Sequence, residues 1–265
     1  MPQPLWDKWF GVKATWRMQR RIMPGLRWTQ QIWGETVRDH LNSSVRWLDC
    51  GCGWRLLGKD LEPLENEMVR RAGIAVGVDL DLPHLAKHLN ISRRICAPIS
   101  SLPFPDASFD LVTCNMVVEH LPDPVTVFRE MSRVLAPRGT LMVHTPNTRN
   151  YLVAANIVAK KLLPRWLVLK LIHDGRAEDD IYPTFYRANN VGALRRVGGS
   201  VSLKPAFHRV LTNPQAYTRR FAPVAFFELL LMRTTMTPPF DRYGATIVMA
   251  FRKEGAPYVP AAQAA

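Results

Sequence analysis

Between residues 45 and 145, short apolar runs closed by Asp, Asn, Gly or Pro alternate with longer stretches of helical periodicity. The runs predict strands over Val45–Asp49, Ile74–Asp79, Arg94–Ala97, Phe109–Asn115 and Thr140–Thr145. Continuous apolar character, rather than strict alternation, is what a strand buried on both faces requires. Such strands alternating with helices predict an α/β, doubly wound, mostly parallel sheet. Before them, the rhythm of Trp28, Ile32, Trp33 and Val37 predicts a helical N-terminal segment over residues 1–44.

After Pro146 the rhythm changes. Tyr151–Leu163 and Trp166–His173 read as helices separated by Pro164, which cannot continue a helix. They form a helical insertion, residues 148–189, after the fifth strand. Asn190 is placed to cap a helix through Arg196 that ends at Gly198 and Gly199. Two more strands follow, near Val201–Val210 and Tyr243–Phe251. The helix expected between them, Phe226–Met232, should pack on the sheet. The main domain then covers residues 45–253, and the Pro- and Ala-rich residues 254–265 form a loose tail.

Composition changes this picture in one respect. Hydrophobic residues at 47% and charged residues at 22% are ordinary for a globular chain, but 35 Lys and Arg against 22 Asp and Glu give +13. Such an excess fits an anionic partner, whether nucleic acid, an acidic membrane surface or an anionic substrate, and equally a surface kept basic for solubility. Cys50, Cys52, Cys96 and Cys114 lack paired C-x-x-C spacing and read as buried, reduced thiols. Neither a signal peptide nor a spanning apolar run is evident, so the expected location is cytoplasmic, with peripheral membrane contact through the basic, amphipathic insertion.

The candidate chemistry begins at VRWLDCGCG, residues 45–53. A buried strand ends in Asp49, and Gly51 and Gly53 let the backbone turn tightly and approach a ligand. A helix expected directly after the turn would aim its amides into the crevice. Tight turns use the same glycines for purely structural reasons. The second element is VGVDLD, residues 76–81, where Asp79 at a strand end can accept ribose hydroxyls or cap a helix, and Asp81 is expected in solvent. A nicotinamide-cofactor reading of the first turn needs a third glycine at Leu56, which is absent.

These two elements are followed in order by LPFPDASFDLVTCNMVVEHLPDP and EMSRVLAPRGTLMVHTPN. Together, over residues 45–147, they resemble class I S-adenosylmethionine-dependent methyltransferases of the small-molecule type, to which ubiquinone and menaquinone biosynthesis methyltransferases belong. The resemblance implies a Rossmann-like seven-stranded sheet with an antiparallel last strand. It also implies S-adenosylmethionine as cofactor. Asp49, Gly51, Cys52 and Gly53 would line its methionine end, Asp79 would hold the ribose, and Leu80, Ile99 and Ser100 would meet the adenine. Asn115 would offer its carbonyl to the methionine amine. Three departures stand out: Arg55 replaces the third glycine, Pro98 replaces an adenine-binding Asp, and the span from Gly53 to Asp79 is long, implying an extended first helix or loop.

Methyl transfer needs alignment and exclusion of water, and a base only where the acceptor loses a proton. His120 is the preferred base, with Glu119 beside it, and His144 is expected to be structural. Tyr186, within YPTFYRANN, is a candidate acid or hydrogen-bond donor, while Tyr182 and Phe185 are expected to pack. Met116 stands where some relatives carry a metal-binding Glu, so no metal is expected. The leading reading is methylation of a small, lipid-like or glycolipid acceptor, O-methylation favoured. The alternatives are a nucleic-acid methyltransferase, which uses the charge but lacks a base-methylating motif, and a non-catalytic cofactor-binding or scaffold protein.

Overall fold

The computed structural model describes residues 11–162, 182–212, 216, 218–219 and 221–254. The predicted second insertion helix, over residues 166–173, and nearly all of the predicted tail lie outside them. The chain divides into two compact units. One comprises Met1–Ile32, Pro146–Ile181 and Val210–Ile247; the other comprises Trp33–Thr145, Tyr182–Arg209 and Val248–Ala265.

The second unit is organised by a seven-stranded sheet. Its strands are β1 (Arg46–Cys50), β2 (Ile74–Asp79), β3 (Arg93–Cys96), β4 (Phe109–Asn115), β5 (Leu135–Pro146), β6 (Leu203–Leu211) and β7 (Thr246–Lys253), in the order β3-β2-β1-β4-β5-β7-β6. The first five pair in parallel, and the last strand runs antiparallel, giving the doubly wound, Rossmann-like architecture. Every predicted strand is present, with ends shifted by a few residues. β5 starts already at Leu135 because a register shift between Phe109 and Leu111 extends its pairing with β4.

The strands read as continuous apolar runs because they are covered. Leu48, Val112, Leu141 and Met142 are fully buried at the centre of the sheet. Two polar rings buried with them are held by neighbours. The Trp47 indole donates to Thr113 Oγ1 at 2.7 Å, and the His144 ring stacks on Trp33 at 5.5 Å. Asn190 caps α7 (Val191–Gly199) through its side chain, as its position in the sequence predicts.

The helix expected directly after the glycine turn is not there. A loop and a 3-10 turn (Lys59–Leu61) intervene, and the next helix after α2 (Thr29–Arg38), α3 (Glu62–Arg71), begins only at Glu62, with Pro63 in its first turn. The loop is tied to that helix. Glu65 Oε1 accepts the Leu57 amide at 2.5 Å, and Arg55 lies 3.6 Å from both Glu62 and Glu65. Arg55 therefore serves an ion-pair network where the relatives' glycine would serve a turn. The longer span between Gly53 and Asp79 is this loop.

The first unit is helical, with α1 (Val12–Ile22), α6 (Tyr151–Leu162) and α8 (Ala222–Thr234). Ala225, Leu229 and Met232 of α8 pack with Met18, Ile22 and Met23. Within this unit the partner of α8 is thus α1. Both helices carry apolar residues at i, i+3 and i+4, and each supplies a stripe the other can cover.

Candidate active site

A cavity of about 670 Å³ opens in the second unit at the carboxyl ends of β1, β2 and β4. Crossovers in a parallel sheet leave such a crevice where the strand order reverses, here between β1 and β4.

Its floor is the turn after β1. Gly51 has φ +76°, and a Cβ there would collide with Val117. Its amide donates to Val78 O at 2.7 Å. Gly53 has φ +54° with open space where a side chain would stand. The Gly53 amide donates to Asp79 Oδ2 at 2.8 Å, and the Asp81 amide donates to Asp79 Oδ1 at 2.9 Å. Both glycines and Asp79 line the cavity. So do Leu80, at 68% exposure an unusually bare leucine, and Pro98, Ile99 and Ser100. Asn115 lines it from the end of β4, its side chain fixed by Leu56 O at 3.0 Å and by His144 Nδ1 at 2.9 Å. Burial holds the His144 imidazole down at about 3, so it is neutral and structural, as the sequence indicates. The next residue, Met116, also lines the cavity and has φ +56°, a strained conformation of the kind found at functional sites.

Two of the predicted cofactor residues stand behind this wall. The Asp49 carboxyl is buried and accepts Thr113 Oγ1 at 2.5 Å. Burial pushes its pKa up to about 7 against the Thr113 hydrogen bond, with the Asp79 charge adding to the rise. Cys52 is buried with Sγ lying over Gly77, and burial pushes its thiol up. Both side chains are buried, and from the turn itself only Gly51 and Gly53 line the cavity; of the other cysteines Cys50 and Cys114 are buried, whereas Cys96 is exposed, against the expectation of a buried thiol.

The opposite wall is apolar, with Val117, Leu121, Pro122 and Val127. His120 stands among them, in the 3-10 turn Val118–His120. Its Nδ1 lies 2.6 Å from Pro183 O, and its ring meets Tyr182 edge-to-face at 6.0 Å. Glu119 is buried, its Oε2 accepting Thr145 Oγ1 at 3.0 Å and its Oε1 lying 3.9 Å from His120 Nε2, with burial as the main cause of a pKa near 7. Its backbone oxygen accepts the amides of Phe185 at 2.7 Å and Tyr186 at 3.1 Å.

That pair of bonds reverses the expectation for YPTFYRANN. Tyr182, Pro183 and Phe185 line the cavity, and Tyr186 does not. With φ +52°, Tyr186 turns the chain so that its own half-buried ring leaves the wall. The sequence misses Tyr182 and Phe185 because the deciding bonds come from a residue more than sixty positions away. Asp81 lies at the surface, as expected, and is engaged there. It caps α4 (Leu82–Ala86) by accepting the His84 amide at 2.9 Å, pairs with His84 Nδ1 at 2.9 Å, and accepts the Tyr182 hydroxyl at 2.8 Å. The capping role considered for Asp79 therefore falls to Asp81, leaving Asp79 at the cavity edge.

A nucleoside-bearing sulfonium fits these residues. The open space over Gly53, a carboxylate at the end of β2 and an exposed apolar side chain beside it supply backbone access, a hydroxyl acceptor and a ring platform.

Residues 48–143 match the family model described as a methyltransferase domain. A ubiquinone biosynthesis O-methyltransferase of Pseudomonas fluorescens (strain Pf0-1) is 31% identical over 166 residues, which is 57% of this chain and 62% of that protein. One from Leptothrix cholodnii is 28% identical over 197 residues, covering 69% of this chain and 74% of the relative. The chain thus spans about 62% of the length of the Pseudomonas relatives it matches. Among solved structures, a geranyl diphosphate C-methyltransferase of Streptomyces coelicolor A3(2) superposes with a TM-score of 0.52 at 16% identity, over 89% of this chain and 81% of that one. The likeness to that structure is one of fold.

Proposed function

We propose that this chain is a class I S-adenosylmethionine-dependent methyltransferase and that it methylates an oxygen of a small, lipid-like acceptor. The observation that carries the proposal is that one cavity holds both the Gly53–Asp79–Leu80 edge and His120.

When bound, S-adenosylmethionine supplies a methyl group already activated on a sulfonium. The chain's task is then to bind, to orient and to exclude water. In this reading Asp79 accepts the ribose hydroxyls and Leu80 covers one face of the adenine. Ile99 and Ser100 border its edge, and Gly51 and Gly53 admit the methionine end with Asn115. Asp49 and Cys52 support the turn from behind.

His120 takes the acceptor's hydroxyl proton. Its Nδ1 donates to the Pro183 carbonyl, which fixes the tautomer and makes Nε2, 3.9 Å from Glu119 Oε1, the basic atom. Glu119 is a positioning residue: its carbonyl holds Phe185 and Tyr186, and so sets Pro183 over His120. The apolar wall around Val117, Leu121 and Phe185 excludes water and suits a hydrophobic acceptor. The relatives that methylate oxygen in ubiquinone biosynthesis support the choice of atom.

Incubation with methyl-labelled cofactor and separate pools of phenolic lipids, glycolipids and RNA tests the reading. Label in a lipid methyl ether, lost in His120→Ala, is the expected result. Label in RNA, or cofactor binding with no transfer to any pool, overturns it.

A further inference from the structure

In the first unit, α8 is apolar on two sides. Its inner side packs on α1, and its outer side exposes Val224, Phe227 and Leu231, with Phe227 at 70% exposure. Spacing of three and four residues puts those three on one stripe, which Phe226 and Leu230 widen. A groove of about 310 Å³ runs beside the stripe, with Tyr151 and Leu152 in its other wall.

The only carboxylate of α8 lies in the groove lining, where its oxygens are engaged. Glu228 is buried, and its oxygens accept the Tyr151 hydroxyl at 2.7 Å and the Thr218 amide and hydroxyl at 2.8 and 2.6 Å. The same unit concentrates the positive charge. Its three segments hold 16 Lys and Arg against 7 Asp and Glu, so +9 of the chain's +13 belongs to it. α1 contributes exposed Lys13, Arg17, Arg20 and Arg21 and carries no acidic residue.

We propose that this unit docks on an anionic lipid bilayer through the outer face of α8. The Phe227 stripe enters the boundary between headgroups and acyl chains, and the unit's cations meet lipid phosphates. Nucleic acid would use the charge and leave the stripe in water. A second copy would cover the stripe and bring two strongly positive units together. Among the described residues no helix is long and apolar enough to cross a membrane, so the contact is peripheral docking. The proposal does not depend on which acceptor is methylated.

Flotation of the full chain with phosphatidylglycerol–phosphatidylcholine vesicles, beside phosphatidylcholine alone, tests it. Binding is expected on the anionic vesicles, reduced but not abolished when salt rises from about 0.05 to about 0.5 M. The Phe227→Ser, Leu231→Ser double variant should partition about tenfold more weakly, with cofactor affinity unchanged. Arg20→Glu with Arg21→Glu, which leaves α8 intact, should weaken binding to the anionic vesicles only. No flotation of the wild type, or equal flotation of the α8 and wild-type proteins, overturns the proposal. So does a dimer that the α8 variant dissociates while vesicle binding stays the same.

Discussion

The amide of Gly53 donates to Oδ2 of Asp79 at 2.8 Å, so the turn after β1 and the end of β2 form one structural object. The second oxygen of the same carboxylate holds the Asp81 amide at 2.9 Å. Asp79 thereby shapes the cavity edge and presents its charge there. Replacing it with Ala should weaken S-adenosylmethionine binding by about thirtyfold or more in calorimetric titration, since hydrogen bonds to a charged group contribute about 1.5–3 kcal/mol. The melting temperature should fall as well, because two backbone amides lose their acceptor. An unchanged affinity would falsify the ribose contact.

His120 separates turnover from binding. Nδ1 lies against Pro183 O and Nε2 lies 3.9 Å from Glu119 Oε1; in the proposed role Nε2 takes the acceptor's proton, a contribution of about 10²- to 10⁴-fold. His120→Ala should lower kcat by that order on a hydroxyl acceptor and leave cofactor affinity within a factor of about two. A kcat within threefold of wild type would leave the chain with no base in this position.

Pro98 lines the cavity but offers neither an amide donor nor a carboxylate. Its carbonyl accepts the Ser101 amide at 3.0 Å, so the local turn does not need the proline ring. Pro98→Asp supplies an acidic group at the edge of the proposed adenine site. It should tighten cofactor binding by about three- to tenfold, as one added hydrogen bond of about 1 kcal/mol allows. Weaker binding in this variant would place the adenine edge elsewhere.

Sequence reading succeeds here where local chemistry decides. The strands were legible because burial on both faces forces continuous apolar runs, and Asn190 because a cap is a contact within one turn. Gly51 and Gly53 were legible because only glycine adopts their φ without strain. The rest depends on long-range pairing. Which of Tyr182, Phe185 and Tyr186 faces the cavity is set by the carbonyl of Glu119. Whether Asp79 or Asp81 caps a helix is set by where α4 starts. That α8 packs on α1 follows from two stripes more than two hundred residues apart, and periodicity names stripes without naming their partners.

Glu119 gives the pH dependence its sign. Burial raises this carboxyl from its usual 4.5 to about 7, opposed by the hydrogen bond from Thr145. The folded protein therefore holds a proton that the unfolded chain has already released between those two values. Stability from this group is fully present below about 4.5 and is lost as pH rises to about 7. Asp49, raised from 3.8 to about 7, acts in the same direction. Glu119→Gln keeps an oxygen acceptor for Thr145 and removes the titration. Above pH 7 it should be more stable than wild type by on the order of 2 kcal/mol, and near pH 5 the gap should close. Denaturant melts of both proteins from pH 5 to 8 measure the difference. A gap that stays constant with pH, or widens toward acid, would show that the Glu119 carboxyl is not held protonated by its burial.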